Sequence, residues 1–547
     1  MSYTFRSINV ERKLFREGSV NLKTDSRKLL SFDIDAPERI GHLLVVFETE
    51  GFGEKHCHEL ELPVRPAVAW RQTSGVEVLE EGKRFKLPRD CGGAMSRFSY
   101  SVSESPASEL KDALEWLADY PYGCLEQTVS RMFPLITAGG ILNAYSSIEA
   151  TNRKEYLEGG LRRVMSMKEH DGTFSLWPDV RRDSDSITLR DCELSLYAAH
   201  FLLEVEKEDV AKIESNTRRC IINRLNSWAA GDVGNHALAA YACHTLALAN
   251  EPDKGRMYAI YDARENLSLL SAARLARAFA IVGDRTRANN LLDMIKSPST
   301  VEEAAFALLA LLETNPEDSR VGRLVKFIDS KRSNARYSWG TTSENAHAIM
   351  ALAEYFRRRP AVPGLSNVKE ENGETVNHGK GTAFLSWKRL DLPNVEDVKA
   401  EESGLKICRE FLNADGTPYD ISNARRGDYV IAKITLGTDA DRTFGDLVIE
   451  DLFAGALEPI HNLVNDGSFS WIARDAHDWV FRFEFRDDRA IVFSDNFELK
   501  KDEKVSFHYP MRVVSSGTFT LPGVAVEAMY QPELRANSGF GRIVVRD

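Results

Sequence analysis

The stretch Ala118–Leu135, ADYPYGCLEQTVSRMFPL, divides the chain and decides how the rest of it is read. Pro121 and Gly123 break the helix expected over ELKDALEWLADY (109–120), and Cys124 opens a new helical segment. Cys124 and Gln127 therefore stand three apart at a helix start, on one face, where their side chains can touch. Free backbone N–H groups and the helix dipole at that position are expected to lower the thiol pKa and help it attack. Attack on the Gln127 carboxamide would release ammonia and leave a Cys–Gln thioester, an acylating electrophile stored in the chain. The spacing alone is a weak signal, and its plain alternative is a buried structural cysteine beside a helical glutamine.

Upstream of this stretch, residues 1 to about 107 read as β structure. GHLLVVFETE (41–50), HELELPVRP (58–66), VEVLEEGKRFKLP (76–88) and SRFSYSVSES (96–105) are short, alternating and separated by turn residues. From about 108 the period changes from two to 3.6, and alanine and leucine replace the β-branched residues. The clearest further helices are expected at 191–205, 235–249, 267–283, 301–313 and 344–356. Their starts are spaced so that two antiparallel helices fit each unit, the mark of stacked helical hairpins. The small-residue-rich members form an inner layer ringed by outer helices, as in an α/α toroid or a solenoid. RRRPAVPGLSNVKEENGETVNHGKGT (357–382) interrupts this pattern as a boundary or crossing segment. Alternating segments then return, among them YVIAKITLG (429–437), DLVIEDL (446–452) and AIVFSDNFEL (490–499), so residues 401–547 are expected to be a terminal β-sandwich. In WVFRFEF (479–485), Trp479, Phe481, Phe483 and Phe485 fall on one face of a half-buried strand.

Bulk composition narrows the function classes. A chain of 547 residues is too long for one hydrophobic core, and 43% hydrophobic with 28% charged residues describes folded domains rather than a disordered chain. A net charge of −12 without a basic cluster argues against nucleic-acid binding. No run of about 18 apolar residues occurs, and the first residues lack a secretory signal, so the chain as given is expected neither to span a membrane nor to export itself. Seven cysteines, at 57, 91, 124, 192, 220, 243 and 408, are too scattered for a small disulfide framework. His56-Cys57-His58 could suggest a metal site, but neighbouring residues of an extended segment alternate sides and cannot close one coordination shell; a surface strand is expected there, with no metal and no cofactor.

Tyr-Pro-Tyr-Gly-Cys-Leu-Glu-Gln-Thr followed by Ser-Arg-Met-Phe-Pro is similar to the thioester signature of bacterial alpha-2-macroglobulins. LELPVRPA (60–67), FSLWPD (174–179), YSWGTTSENAHAIMAL (337–352), DDRAIVF (487–493) and VAVEAMYQPELRANSGFGRIVV (524–545) resemble segments of the same family in the same order. The resemblance implies an α+β multidomain chain: the end of a macroglobulin-like β domain (1–65), the first part of a CUB-type β domain (66–107) and a helical α/α-toroid thioester domain inserted in it (108–360). The returning CUB-type strands (361–400) and a C-terminal macroglobulin-like β-sandwich (401–547) follow. It also implies shielding of the bond by Tyr120, Met529 and Tyr530, whose alternatives are helix packing for Tyr120 and a buried strand end for the other two. His236 is the candidate for a base assisting acyl transfer, with His244 behind it; the loop that carries this histidine in complement proteins is missing, so packing or surface roles are expected for both.

The activity so implied is that of a broad-spectrum protease inhibitor, a single-use reagent rather than a turnover enzyme. Attacking proteases are captured through lysine amines, protecting the bacterial cell. The implied parent is a longer exported chain in which Met1 lies partway along, a monomer, periplasmic or associated with the cell envelope, and membrane-anchored. Two other classes compete: a thioester adhesin or non-covalent binding module, and an α/α-toroid enzyme such as a cyclase, for which Asp183, Asp185 and Asp191 are the available acids.

Overall fold

The computed structural model describes residues 2–8, 14–19, 40–51, 54–89, 95–104, 110–118, 123–138, 150–178, 187–230, 236–332, 339–359, 366–444, 446–460, 472, 480–494 and 497–547. The change of period in the sequence is a change of architecture. An antiparallel four-stranded sheet comes first, in the order Leu14–Ser19, Ser2–Ile8, Gly41–Gly51, Glu54–Val64. Leu43 and Val45 are buried on it with Phe47 and Val64 against them. His56, Cys57 and His58 lie on its exposed strand Glu54–Val64, where successive side chains alternate sides.

The second β unit is discontinuous in sequence. Strand Ala383–Leu392, which follows the helices, inserts between Arg71–Leu79 and Met95–Ser103, which precede them, and is antiparallel to both. Trp387 pairs with Gly75 in this sheet, and a Cβ on Gly75 would meet the indole at 2.3 Å, so the glycine makes room for the ring. The helical domain is thus an excursion from a β unit. The crossing segment expected over 357–382 resolves into the end of helix Thr342–Arg358 and a hairpin, Val368–Glu371 with Glu374–Asn377, that pairs with Arg84–Lys86.

Six inner helices close a ring. In order they are Leu125–Thr137, Leu189–Lys207, His236–Leu248, Leu269–Ile281, Val301–Thr314 and Thr342–Arg358, each packed on the next and the last back on the first. The last four of them are alanine-rich, because helices that meet neighbours on several sides need close approach. The more polar helices Ser215–Ala230, Lys254–Asp262, Arg285–Leu292 and Ser319–Ser330 alternate with them as an outer layer. This is an α/α toroid. Its axis is filled: the rings of Phe133 and His200 lie 4.8 Å apart, His200 and His244 4.9 Å, and Phe306 and His347 5.1 Å.

Inner-helix starts are fixed by capping boxes. Thr188 with Asp191, Thr300 with Glu303 and Thr341 with Glu344 satisfy otherwise orphaned N–H groups. Asp191 accepts from the Thr188 backbone N–H at 3.0 Å and its hydroxyl at 2.8 Å, which makes it a helix cap rather than a free acid. Asp183 and Asp185 lie outside the described residues.

The terminal unit is a sandwich. A six-stranded sheet ordered Glu401–Ser403, Gln531–Asn537, Val524–Ala528, Leu447–Leu452, Arg489–Ser494, Val480–Arg486 faces a four-stranded one, Leu405–Leu412, Tyr429–Thr438, Lys504–Val513, Leu457–Pro459. The strand expected at 479–485 is the edge of the larger sheet. Its Phe485 packs on the core, Phe483 is 39% exposed on what is the last strand of that sheet among the described residues, and Trp479 lies outside them. Its other face is partly covered. Arg482 stacks over Trp177 of the helical domain, 4.8 Å from the ring centre.

Candidate functional site

Cys124 is the N-cap of helix Leu125–Thr137, with extended backbone (φ −66°, ψ 173°). The Gln127 side chain turns back over the first helical turn, so that the Cys124 N–H donates to Gln127 Oε1 at 3.2 Å. The two groups form a capping box in which cysteine and glutamine stand where serine or threonine and glutamate are usual. That local geometry brings the thiol and the carboxamide to one end of one helix. The Leu125 N–H donates to Leu176 O at 2.9 Å and Arg163 Nε to Gly123 O at 2.8 Å, which fixes the approach to the cap from both sides.

The surroundings are apolar. Cys124 (2% exposed) clusters with Trp177, Val448, Ile491 and Phe493, and Leu176 and Met529 pack against them. Trp177 and Phe493 approach to 4.9 Å between ring centres. Val448, Ile491, Phe493 and Met529 belong to the terminal sandwich, whose larger sheet therefore covers the cap with its outer face while Ile449 and Val492 point into its own core. Gln127 Nε2 donates to the Met529 sulfur at 3.1 Å. The Met529 N–H donates to Asp446 O at 3.0 Å, and the Asp446 carboxylate is ion-paired with Arg190 of the helical domain.

Beside this pocket lies a buried carboxylate. Glu126 accepts from Ser130 Oγ at 2.7 Å, from Thr342 Oγ1 at 2.7 Å and 2.9 Å, and from Tyr530 Oη at 3.1 Å. Burial raises its pKa above the usual carboxylate range, although the three hydroxyls oppose the shift. Burial also raises the Cys124 thiol, and the Glu126 charge adds to the rise; the N–H groups of Gln127 and Glu126 pull the other way and lose. The lowering expected from the helix start is thus reversed, because loss of hydration outweighs a partial helix charge. The Tyr530 hydroxyl is raised well above its ordinary value by burial and by Glu126.

Of the residues singled out from sequence, Cys124, Gln127, Met529 and Tyr530 come together here. Tyr120 lies outside the described residues. His236 sits half-buried at the first turn of helix His236–Leu248, and among the described residues no hydrogen bond or ring contact joins it to Cys124 or Gln127. His244 is fully buried on the toroid axis, 5.5 Å from the Phe306 ring. Sequence reasoning missed Glu126, Thr342, Trp177, Val448, Ile491 and Phe493 as parts of the site. A signal for two of them was present: AIVF (490–493) is a continuous apolar run, which marks a strand covered on both faces.

The family models matched are the Bacterial Alpha-2-macroglobulin MG10 domain over residues 404–533 and the A-macroglobulin TED domain over residues 98–189. The chain is 24% identical to an alpha-2-macroglobulin of Xylella fastidiosa (strain Temecula1), across 96% of this chain and 35% of that protein. It thus spans about a third of the length of the curated relatives it matches. Among solved structures, native Escherichia coli alpha-2-macroglobulin from domain MG7 to the C-terminus shares the fold, with a TM-score of 0.76 at 20% identity over 92% of this chain and 87% of that one. Salmonella alpha-2-macroglobulin reacted with methylamine gives 0.80 at 21% identity, over 100% of this chain and 39% of that one. Two domain models matched in order, similarity along nearly the whole chain and a common fold place this chain in the bacterial alpha-2-macroglobulin family, over the region that holds the TED and MG10 domains.

Proposed function

We propose that Cys124 and Gln127 form an intrachain thioester and that the chain is the covalent-capture part of a bacterial protease trap. One observation carries the reading: the Gln127 carboxamide is folded back onto the Cys124 cap inside an apolar pocket closed by another domain. In forming the bond, Cys124 Sγ adds to Gln127 Cδ, the C–N bond breaks, and ammonia leaves. A primary amine later attacks Cδ, an amide forms, and the thiol is returned. A lysine of a protease is such an amine, and the bond acts once, so the protein is an inhibitor and not a turnover enzyme.

Burial protects the bond in two ways. It keeps water from the carbonyl, and it makes the thiolate a poor leaving group by raising the thiol pKa. Withdrawal of the terminal sandwich would remove both protections together. Met529 and Tyr530 are the shielding residues on this account, with Tyr120 as a third. The resemblance assigns protease sensing to a bait segment upstream. It also assigns a protective role to a monomeric, membrane-anchored parent in the periplasm or cell envelope, with the sheet around Ala383–Leu392 as the CUB-type domain.

Intact mass tests the reading. Freshly purified protein should lack one ammonia relative to its sequence, and methylamine, with which the Salmonella relative was reacted, should add at Gln127 and free the Cys124 thiol. A full-mass protein with a free Cys124 thiol, prepared without amines, refutes it. Protease challenge of the parent chain then separates a trap from a covalent adhesin.

A further inference from the structure

Glu126 has no part in the chemistry above, yet it stands between the two bond-forming residues in sequence and beneath the same cover. It is 6% exposed. Its hydrogen bonds come from three neutral hydroxyls on three elements: Ser130 on its own helix, Thr342 at the start of the last inner helix, and Tyr530 in the terminal sandwich. Ser130 is itself within 2.9 Å of the Tyr197 hydroxyl. A carboxylate removed from water and met, among the described residues, by hydroxyls alone is a costly choice for packing, which an apolar residue would serve better.

The chemistry has a proton to place at two moments. When Sγ attacks Cδ, the S–H and C–N bonds break, and the departing nitrogen must gain a proton to leave as ammonia. When an amine attacks the thioester, its nitrogen must lose a proton and Sγ must gain one. The first occurs beside a thiol that solvent base reaches poorly while the pocket is closed, and the second at the same two atoms once it opens.

We propose that Glu126 is the proton acceptor for both steps. On formation it takes the thiol proton and passes it to the departing ammonia; on opening it takes the proton of the attacking amine and returns it to Sγ. Tyr530 couples this to the cover. While the sandwich is seated, the Tyr530 hydroxyl shares Glu126 Oε2 with Thr342, and when the sandwich withdraws that oxygen loses one of its two donors and has a lone pair open to accept. The raised affinity of Glu126 for a proton suits the task, which needs an acceptor that titrates closer to neutrality than an exposed glutamate. The titratable and charged groups facing it are Cys124, Tyr197, Tyr530 and Glu302, with the Arg190–Asp446 pair beyond Met529. This inference rests on the thioester reading.

The test uses the full chain and Glu126→Gln, which keeps size and hydrogen-bonding capacity but cannot accept the proton. The expected result is at least a tenfold smaller fraction of the ammonia-deficient species, or, in the fraction that forms, methylamine uptake at least tenfold slower and without the acid limb of the wild-type pH profile. Thr342→Val is the second variant: it keeps the carboxylate but removes a donor, so the acid limb should move to higher pH, which a merely structural role would not cause. Wild-type amounts of the bond with unchanged uptake and pH profile in Glu126→Gln overturn the proposal. Should that variant not fold, an unshifted limb in Thr342→Val overturns it. If the wild-type chain itself shows neither ammonia deficit nor uptake, the thioester reading has failed first and the proposal falls with it.

Discussion

The Gln127 side-chain nitrogen donates to the Met529 sulfur at 3.1 Å, joining positions 402 residues apart. The amide that would become the acyl group is thus touched directly by the domain that would have to move for it to react. Sulfur is a weak acceptor, so the contact adds little energy. On the proposed reading its value is steric, with Met529 packed over the cap as a shield against water or an amine.

Met529→Ala should therefore shorten the lifetime of the amine-reactive state by about tenfold, by opening a path to Gln127 Cδ. Tyr530→Gly should do the same, while Tyr530→Phe, which keeps the ring and loses the bond to Glu126, should have a smaller effect. Tyr120→Gly extends the series to the third proposed shield. Each is read as methylamine uptake remaining after timed incubation in amine-free buffer. Lifetimes equal to wild type for all of them would reduce these residues to packing.

Thiol counting gives an independent check. Cys57 and Cys408 are exposed and should react with a thiol reagent in the native protein, whereas Cys124 and Cys243 are buried and should not. Burial raises the Cys243 thiol to about 12, which slows it further because the thiolate is the reactive form. Counted after unfolding in denaturant, methylamine-treated protein should carry one more reactive thiol than untreated protein, at Cys124. Peptide mapping that finds Cys124 labelled before treatment would contradict the proposal.

What could be read from sequence was whatever depends on neighbours along the chain. The shift from period two to 3.6 at about residue 108 located the helical domain, and the inner helices at 301–313 and 344–356 are observed at Val301–Thr314 and Thr342–Arg358. The outer helices were expected as a layer but not located: Lys254–Asp262 and Arg285–Leu292 bury few residues, whereas Ser319–Ser330 carries a readable apolar stripe of Val321, Leu324 and Ile328. The closeness of Cys124 and Gln127 was legible because one helical turn fixes it. The direction of the thiol shift was not, since the helix start is local but the desolvation comes from Trp177 and the terminal sheet. FSLWPD, TTSENAH, DDRAIVF and VAVEAMY drew notice as separate family-like segments. The fold explains their company: Trp177, Thr342, Ile491 with Phe493, and Met529 with Tyr530 all converge on residues 124–127.

The ion pair between Arg190 and Asp446 should hold the sandwich over the cap. The Asp446 side chain is only 8% exposed and its own carbonyl fixes the Met529 backbone, while Arg190 is about a third exposed. Arg190→Ala should weaken the interface by about 1–3 kcal/mol, less than for a fully buried pair because of that exposure. The expected signs are faster loss of amine reactivity and easier proteolysis between the two domains, with little change in the unfolding of either. Exchanging the charges, Arg190→Asp with Asp446→Arg, should recover part of the loss. No recovery, together with an effect from each single change, would point to the other contacts of these residues instead.

His244 gives the helical domain a distinct acid sensitivity. Burial on the toroid axis holds its pKa well below the ordinary value, with the Arg277 charge and the His200 ring adding to the depression. His200 beside it is lowered to about 4 in the same way, although Glu204 opposes the shift. In the unfolded chain both titrate near 6.5. Below that pH the unfolded state binds protons that the native state refuses, so stability is full above about 6.5 and is lost progressively as the pH falls toward the native values. Glu126, Glu193 and Glu344 act in the opposite sense because their proton affinities are raised in the native state. A difference measurement cancels them. His244→Leu should be compared with wild type by urea unfolding of the helical signal between pH 7 and 5. The variant's stability relative to wild type should climb by about 1.4 kcal/mol per pH unit below 6.5. A pH-independent difference would mean that His244 is protonated on the axis, and that the aromatic filling of the toroid tolerates a charge.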